Sequence, residues 1–297
     1  MKIPSYYPYR SAEAKETYLS FYDRRAQRWP VVSESRMVST SHGQTFVRIG
    51  GPDGGQPLVL LPGMGTTSLL WTPVIEAFST RYRTYAPDSI ADVGRSICSR
   101  PIANSGGLVC WLDELFTALD LGDKINLLGM SYGGWLTALY ALRFPSRLRK
   151  IVLVAPGATV LRTGLEFQIR GALVLTRRRY FTRKFVHWLF ADLARKNPSR
   201  IETSVDRMLL TFRCLQPRHV IAPTVFKDHE LQSLRMPALF LVGEHEKIYS
   251  PAKAVRRLNR VAPRIRAEVI RGAGHDLIMA QPEMAEKTIL EFLDERG

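Results

Sequence analysis

Residues 125–134 read INLLGMSYGG, and this stretch decides the fold of the chain. The apolar run at its start predicts a buried strand, and the apolar spacing that follows predicts an amphipathic helix. Between the two lies the pattern Gly-x-Ser-x-Gly, centred on Ser131. A serine on so tight a strand-to-helix turn has a strained backbone, so the residues two positions away on either side must be small. The alternative is a glycine-rich loop that only turns the chain, but the flanking strand and helix favour a nucleophile at Ser131.

A serine hydroxyl is a weak nucleophile, so Ser131 would need a general base to take its proton. His275 is the candidate, because it ends a loop of small residues, RGAGH at 271–275, directly after a predicted strand. The glycines of that loop allow the imidazole to reach over the serine. Among the other histidines, only His245 follows a predicted strand in the same way. We therefore predict that His275 is the base, with a structural role as the alternative.

An imidazole base needs an acid that holds it in the correct tautomer. The loop after the preceding predicted strand, residues 243–251, reads GEHEKIYSP and carries two carboxylates, Glu244 and Glu246. The residues of this loop alone do not choose between the two. We expect His245, which lies between them, to be a supporting or surface residue.

Short β-rich runs alternate with helical stretches from about residue 38 onward, which is typical of a parallel sheet covered by helices on both faces. We predict strands at 36–39, 45–49, 58–61, 83–87, 125–128, 151–155, 238–242 and 267–270. We predict helices at 71–78, 105–119, 133–144, 252–261 and 284–296. The first two strands are expected to form an antiparallel hairpin at the edge of the sheet. The last six are mostly continuous apolar runs, as expected of strands buried on both faces.

The alternation breaks once, between residues 158 and 235, where helical and arginine-rich sequence replaces a single crossover helix. We predict that residues 158–235 form an inserted helical cap, or lid, over a core made of residues 36–157 and 236–297. Residues 1–35 are polar with scattered aromatic side chains, and the apolar spacing from 12 to 27 is helical. They are expected to pack as an N-terminal arm.

From about residue 36 to its end the chain resembles the α/β-hydrolase family. The resemblance rests on the serine turn at 125–134, on the histidine loop at 271–275 and on residues 88–96, which resemble the family's D-x-x-G-x-G-x-S segment. It implies an α/β fold with a mostly parallel, eight-stranded sheet flanked by helices. The family's acid loop usually reads G-x-x-D, and Glu246 stands at the position of that Asp. The resemblance therefore implies Glu246 as the acid, and Asp88 as a structural residue.

An enzyme that transfers acyl groups also needs hydrogen-bond donors where negative charge develops on the substrate. One expected donor is the N–H of Tyr132, which follows the nucleophile. The other is expected after the strand at 58–61, where residues 62–65 read PGMG and resemble the family's H-G-x-G oxyanion loop with Pro in place of His. The resemblance implies the N–H of Met64 as this second donor and its side chain as the floor of an acyl pocket. An ordinary turn is the alternative.

Three segments, YDRRAQRWP at 22–30, GMSYGGW at 129–135 and GEHEKIYSP at 243–251, are similar to a bacterial carboxylesterase-like branch of the family. This similarity implies a serine hydrolase that acts on a small-molecule ester through an acyl-enzyme, with no metal or organic cofactor. Other acyl chemistries on this scaffold are the first alternative: a thioesterase, amidase, lactonase, C–C hydrolase or acyltransferase. A hydrolase-like protein that only binds a small molecule is the second.

The formal net charge of +15 is unusual, and residues 157–236 carry much of it, with twelve arginines and three lysines against six acidic residues. The interpretation that we prefer is solvated arginines; the alternatives are selection of acidic substrates or contact with an anionic surface through the basic cap. The apolar residues of the cap favour a substrate with an apolar acyl or alcohol part. They are Phe167, Leu173, Val174, Leu175, Phe185, Trp188, Leu189 and Phe190.

Other classes of protein are not favoured by the sequence. The basic residues lack the interleaved aromatic side chains that nucleic-acid binding would favour. We find no apolar run long enough to span a bilayer and no secretory signal, so we predict a cytoplasmic protein. Three cysteines without a C-x-x-C pair indicate neither a disulfide framework nor a zinc site. The sequence does not predict an oligomeric state.

Overall fold

A computed structural model describes residues 7–216 and 221–295 of the chain. Three predicted features extend beyond these residues: the first part of the arm (residues 1–6), a short part of the inserted segment (217–220), and the end of the last predicted helix at Arg296.

The described residues form a sheet of nine strands in the order β1-β2-β4-β3-β6-β7-β8-β9, with β5 paired to β2. The strands are β1 (Ser33–Thr40), β2 (Gly43–Gly50), β3 (Pro57–Leu61), β4 (Arg83–Pro87), β5 (Ile97–Cys98), β6 (Ile125–Met130), β7 (Leu148–Val154), β8 (Ala238–Gly243) and β9 (Ile265–Ile270). Strands β1, β4 and β5 pair antiparallel with β2, and the other pairs are parallel. The predicted edge hairpin is therefore present. The extra strand, β5, has only two residues, which is too short for a periodic signal.

Apolar side chains cover both faces of the central strands. Every residue of β6 and β8 is buried, and all but one of β7, as their continuous apolar runs predict. The same prediction is wrong for β9, which ends the sheet and has no neighbour on its outer edge. Arg266 and Val269 of β9 are exposed, and Glu268 pairs with Arg266 at the surface. Glu268, a charged residue within the predicted run 267–270, indicates that β9 is only partly buried.

The helices that follow the strands of the core are α2 (Ile75–Ser79), α3 (Ser105–Ala118), α4 (Tyr132–Arg143), α10 (Pro251–Val261), α11 (Leu277–Ala280) and α12 (Pro282–Asp294). The helix predicted at 71–78 is wrong: a 3₁₀ turn, Ser68–Trp71, comes first, and α2 starts four residues later. Pro73 lies between the two and has no N–H to donate, so one continuous helix cannot form there. Among residues 7–216 and 221–295, no helix is both long and apolar enough to span a membrane.

Five helices lie between β7 and β8 in the described part of this segment, residues 158–216 and 221–235. They are α5 (Leu165–Val174), α6 (Arg179–Leu189), α7 (Ala191–Lys196), α8 (Pro198–Cys214) and α9 (Asp228–Gln232). Some of them lie over the carboxyl ends of the strands, since Val174 and Phe185 line a cavity together with Ser131, which directly follows β6. Whether this segment is a separate domain with the predicted boundaries stays a prediction.

The N-terminal arm ties the inserted helices to the core. Its helix, α1 (Ala12–Ala26), packs against α8, and Arg10 donates its N–H to the carbonyl of Cys214 at 2.9 Å. Tyr9 forms an antiparallel bridge with Leu215, and its buried hydroxyl is 2.7 Å from both the carbonyl oxygen and the N–H of Gly94. The arm therefore holds the end of α8 against the loop after β4.

Candidate active site

The turn between β6 and α4 holds Ser131 in a rare backbone conformation, with φ of 54° and ψ of −112°. Its N–H donates to the carbonyl of Val154 at 2.8 Å, and its carbonyl accepts from the N–H of Gly157 at 3.0 Å. A Cβ atom at Gly129 would lie 2.1 Å from the carbonyl oxygen of Gly133, and a Cβ at Gly133 would lie 2.3 Å from that of Leu61. Both glycines of the Gly-x-Ser-x-Gly pattern are therefore required by contacts that leave no room for a methyl group.

The structure brings the three predicted residues Ser131, His275 and Glu246 together. The Nε2 atom of His275 is 3.1 Å from Oγ of Ser131, and Nδ1 is 2.9 Å from Oε2 of Glu246. Both His275 and Glu246 are buried. With the proton on Nδ1 donated to the carboxylate, Nε2 has a free lone pair for the serine hydroxyl. This is the geometry that a nucleophile, a base and an orienting acid require.

Opposing effects set the pKa of His275. Burial disfavours the imidazolium and lowers the pKa, but the charge and the hydrogen bond of Glu246 raise it more, with a smaller contribution from Asp276. The pKa of His275 is therefore raised above its usual value. Glu246 is held in place from its other side, because its Oε1 atom accepts the N–H groups of Lys247 and Ile248, each at 2.8 Å.

The other carboxylate of this loop lies elsewhere. Glu244 is half exposed, and its Oε2 atom accepts the N–H of Gly272 at 3.0 Å. His245, which the sequence suggested as a supporting or surface residue, is partly exposed and places Nδ1 3.0 Å from Asp192. Of the two acids that the loop offered, Glu246 is thus the one beside His275.

The loop after β3 approaches the serine closely. A Cβ atom at Gly63 would lie 3.4 Å from Cβ of Ser131, so this loop passes directly beside the predicted nucleophile. Within the described part of the chain, no hydrogen bond occupies the N–H of Met64 or of Tyr132, the two predicted oxyanion donors. The side chain of Met64 lines the cavity above the serine and is 41% exposed.

Asp92 holds this loop and was not predicted as a functional residue. Its Oδ2 atom accepts the N–H of Gly65 at 2.7 Å, and Oδ1 accepts the N–H of Val93, also at 2.7 Å. Burial, with a smaller contribution from Asp88, raises the pKa of Asp92 to about 7, although the two N–H groups act to lower it. Asp92 belongs to the segment whose resemblance drew attention to Asp88, and no feature of the sequence links it to Gly65.

A cavity of about 460 Å³ opens beside Ser131 and His275. Six of the eight apolar residues named in the inserted segment line it, namely Phe167, Val174, Leu175, Phe185, Leu189 and Phe190. Leu173 and Trp188 do not line it. Apart from His275, the one ionisable basic side chain among its described lining residues is that of Arg207. The cavity can therefore hold an apolar group next to the serine hydroxyl.

The described residues contain no group of three or more His, Cys, Asp or Glu side chains that could hold a metal ion. The site is thus built from a hydroxyl, an imidazole, a carboxylate and backbone N–H groups, and these can carry out nucleophilic acyl transfer.

The chain is similar in sequence and in structure to known proteins. The profile of the α/β-hydrolase fold family matches residues 56–282. The chain is 35% identical over 279 residues to the uncharacterised carboxylesterase Nap of Bacillus subtilis, covering 93% of this chain and 92% of that protein. It is 31% identical to the carboxylesterase YbfK of the same organism, with 96% of each chain covered. The crystal structure of naproxen esterase from Bacillus subtilis superposes with a TM-score of 0.87 at 33% identity, covering 96% of this chain and 99% of that one.

Proposed function

The chain belongs to the α/β-hydrolase fold family, and from that membership we propose that it is a serine carboxylesterase that works through an acyl-enzyme on Ser131. The observation that carries the proposal is the continuous hydrogen-bonded line from Oγ of Ser131 through the imidazole of His275 to the carboxylate of Glu246. Relatives that carry the name carboxylesterase and cover nearly the whole chain support ester hydrolysis over other acyl chemistry.

In the first half of the reaction, Oγ of Ser131 attacks the ester carbonyl carbon while its proton passes to Nε2 of His275. Glu246 stabilises the imidazolium that forms, because its carboxylate is already bound to Nδ1. The carbonyl oxygen becomes an oxyanion and accepts the N–H groups of Met64 and Tyr132. When the tetrahedral intermediate collapses, the C–O bond to the alcohol breaks, and His275 gives its proton to the alcohol oxygen.

In the second half, water replaces the alcohol. It attacks the carbonyl carbon of the acyl-enzyme and gives a proton to His275, and the same N–H groups bind the second oxyanion. The carboxylic acid then leaves as Oγ of Ser131 regains its proton. The inserted helices act as a cap in this scheme, since their apolar side chains form much of the cavity that would hold the acyl or alcohol part.

The proposal is tested by hydrolysis of p-nitrophenyl esters from acetyl to dodecanoyl. Wild-type protein should turn over part of the series, and Ser131→Ala should reduce kcat by about 10⁶, as expected when a serine nucleophile is removed. Ser233→Ala is the matched control, because Ser233 is exposed and does not line the cavity beside Ser131. Its rates should equal those of the wild type.

A fluorophosphonate reports on the acyl-enzyme step separately. It should add one phosphonyl group to Ser131, detectable by mass spectrometry of the intact protein and of its peptides. Turnover that survives in Ser131→Ala would disprove the proposal. Labelling of Ser131 without hydrolysis of any ester would show that the nucleophile serves another acyl chemistry.

A further inference from the structure

A second cavity, of about 420 Å³, lies between α1, the 3₁₀ turn Ser68–Trp71 and α8. Its polar lining is basic. Four arginines line it, two from α1 or just after it and two from α8: Arg25, Arg28, Arg200 and Arg207. Among its described lining residues there is no Asp or Glu. The remaining polar groups are hydroxyls and an amide, which can donate hydrogen bonds to an anion.

These four arginines have no anionic partner in the described part of the chain. None of them makes an ion pair or a side-chain hydrogen bond with residues 7–216 or 221–295. The guanidinium of Arg25 lies 5.7 Å from the ring centre of Phe21, a contact that brings no carboxylate.

The acidic residues of α8 serve a different face of the helix. Glu202 and Asp206 pair with Arg179 of α6, and Glu202 also binds Arg183 at 2.8 Å. Arg179 and Arg183 on that face are exposed and paired, whereas the interpretation preferred from the sequence was solvated arginines. In the cavity towards α1, Arg28 and Arg200 are exposed and fit solvated arginines, but Arg25 and Arg207 are only partly exposed and have no ion pair with the described residues.

Burial disfavours the positive charges of the arginines in this cavity. Burial and, after it, the charge of Arg25 lower the pKa of Arg207 to about 10, while Tyr18 opposes the shift. The pKa of Arg25 is lowered as well, first by burial. Both groups nevertheless remain protonated at neutral pH. Two like charges without a counter-ion are unfavourable, so a bound anion would stabilise the site.

This second cavity, the basic cavity, adjoins the cavity of about 460 Å³ beside Ser131 and His275, the catalytic cavity. Four residues line both: Thr66, Leu70, Arg207 and Met279. A substrate whose ester group lies at Ser131 and whose apolar part fills the catalytic cavity would therefore meet a guanidinium at the shared wall.

We propose that Arg207, with Arg25 behind it, binds an anionic oxygen group of the substrate, a carboxylate or a phosphate, at a distance from the ester bond. The planar guanidinium suits either group, because it can donate two parallel hydrogen bonds to two oxygens. This inference rests on the proposed ester hydrolysis. It narrows the substrate class to esters that carry an apolar spacer between the reacting carbonyl and a negative charge.

The experiment compares two esters that differ in one charge. The first is the mono-p-nitrophenyl ester of adipic acid, whose free carboxylate is ionised at neutral pH, and the second is the same compound with that carboxylate methylated. The ratio of kcat/KM for the anionic ester to that for the neutral ester is the readout. In wild-type protein we expect a ratio on the order of tenfold, as one charge-assisted hydrogen-bond pair would give. Longer and shorter diacids then locate the best spacing.

Arg207→Gln should bring this ratio close to one, and Arg25→Gln should lower it part of the way. Arg213→Gln is the matched control: Arg213 is an exposed arginine on the same helix and lines neither cavity. Its ratio should equal that of the wild type. Because the readout is a ratio within each variant, a loss of folded protein cancels.

Binding to Ser131→Ala, measured by calorimetry with the same two esters, separates this inference from the proposed function. Tighter binding of the anionic ester, lost in the double variant with Arg207→Gln, would support the inference even if no ester were hydrolysed. Equal kcat/KM and equal binding for the two esters would overturn it while leaving ester hydrolysis intact. Inorganic phosphate that binds through Arg207 without any preference between the esters would also overturn it, because the cavity would then serve a free anion.

Discussion

Replacement of Glu246 by Gln should disable the base without disturbing the shape of the site. In the native protein, Oε1 accepts two backbone N–H groups, those of Lys247 and Ile248, while Oε2 faces His275. A glutamine side chain has only one acceptor oxygen, and the two N–H donors should retain it. Its NH₂ group would then point at Nδ1 of His275, which must become an acceptor. The proton of the imidazole would move to Nε2, where it blocks transfer from Ser131.

The expected loss of kcat follows from two effects of the substitution on His275. The imidazole would stand in the wrong tautomer and the imidazolium would have no counter-charge, a combination that costs about 10⁴ in kcat in enzymes with this arrangement. That factor corresponds to about 5.4 kcal/mol of transition-state stabilisation. KM should change little, because Glu246 lines neither the catalytic cavity nor the oxyanion loop. The assay is steady-state hydrolysis of p-nitrophenyl butyrate, measured at the pH at which the kcat of the wild type has reached its plateau.

The neighbouring carboxylate supplies the control. Glu244→Gln removes one charge from the same loop, but Glu244 is half exposed, and its side-chain partners among the described residues are the N–H of Gly272 and, at 3.8 Å, His245. Its kcat should stay within about twofold of the wild type, since exposed charges at this range contribute little. Thermal unfolding of both variants checks that they are folded. The reasoning is refuted if Glu246→Gln keeps more than about a tenth of the wild-type kcat, or if Glu244→Gln loses as much as Glu246→Gln.

Three other measurements test the rest of the site. Glu246 raises the pKa of His275, and only the neutral imidazole accepts a proton. As the pH is lowered, kcat/KM should therefore fall with an apparent pKa above about 6.5. An apparent pKa below that value would contradict the ion pair between His275 and Glu246. Ser131→Gly should be more stable than Ser131→Ala by about 0.5–1 kcal/mol in guanidinium unfolding, since only alanine keeps the Cβ that strains a φ of 54°. Equal stabilities of the two variants would argue against backbone strain at this position. Asp92→Asn should lower kcat about tenfold, because it weakens the acceptor of the Gly65 N–H in the predicted oxyanion loop. A change in stability with kcat unchanged would assign Asp92 a structural role only.

The parts of the site that the sequence predicted are those whose residue types form a short local pattern. The glycines around Ser131 belong to such a pattern, although the contact that requires Gly133 is with Leu61, far away in the chain. The strands of the core were found for a similar reason, because burial on both faces demands apolar residues at every position of a short run. The helix split near Pro73 was missed although the proline signals it, since the apolar spacing on either side remained helical.

The residues that the sequence could not identify depend on contacts between distant segments. Asp92 matters because Gly65 lies beside it in the fold. The residues of the loop at 243–251 alone left Glu246 and Glu244 open, and only the family resemblance favoured Glu246, which is the carboxylate that faces His275. Likewise, a count of arginines cannot tell Arg207 from its neighbours on α8; only the packing of α1 against that helix separates the two faces. The predicted cytoplasmic location stays a prediction.

The bridge between Tyr9 and Leu215 has a practical consequence for protein engineering. The residues near Tyr9 fasten the end of α8, and α8 contributes part of the wall of the catalytic cavity. Loss of these first residues would leave the sheet untouched and loosen the wall. In a screen for altered substrate preference, substitutions in the arm would therefore behave like substitutions in the pocket, although Tyr9 itself lies outside the cavity. A mutant library confined to the pocket-lining residues would miss this means of changing specificity.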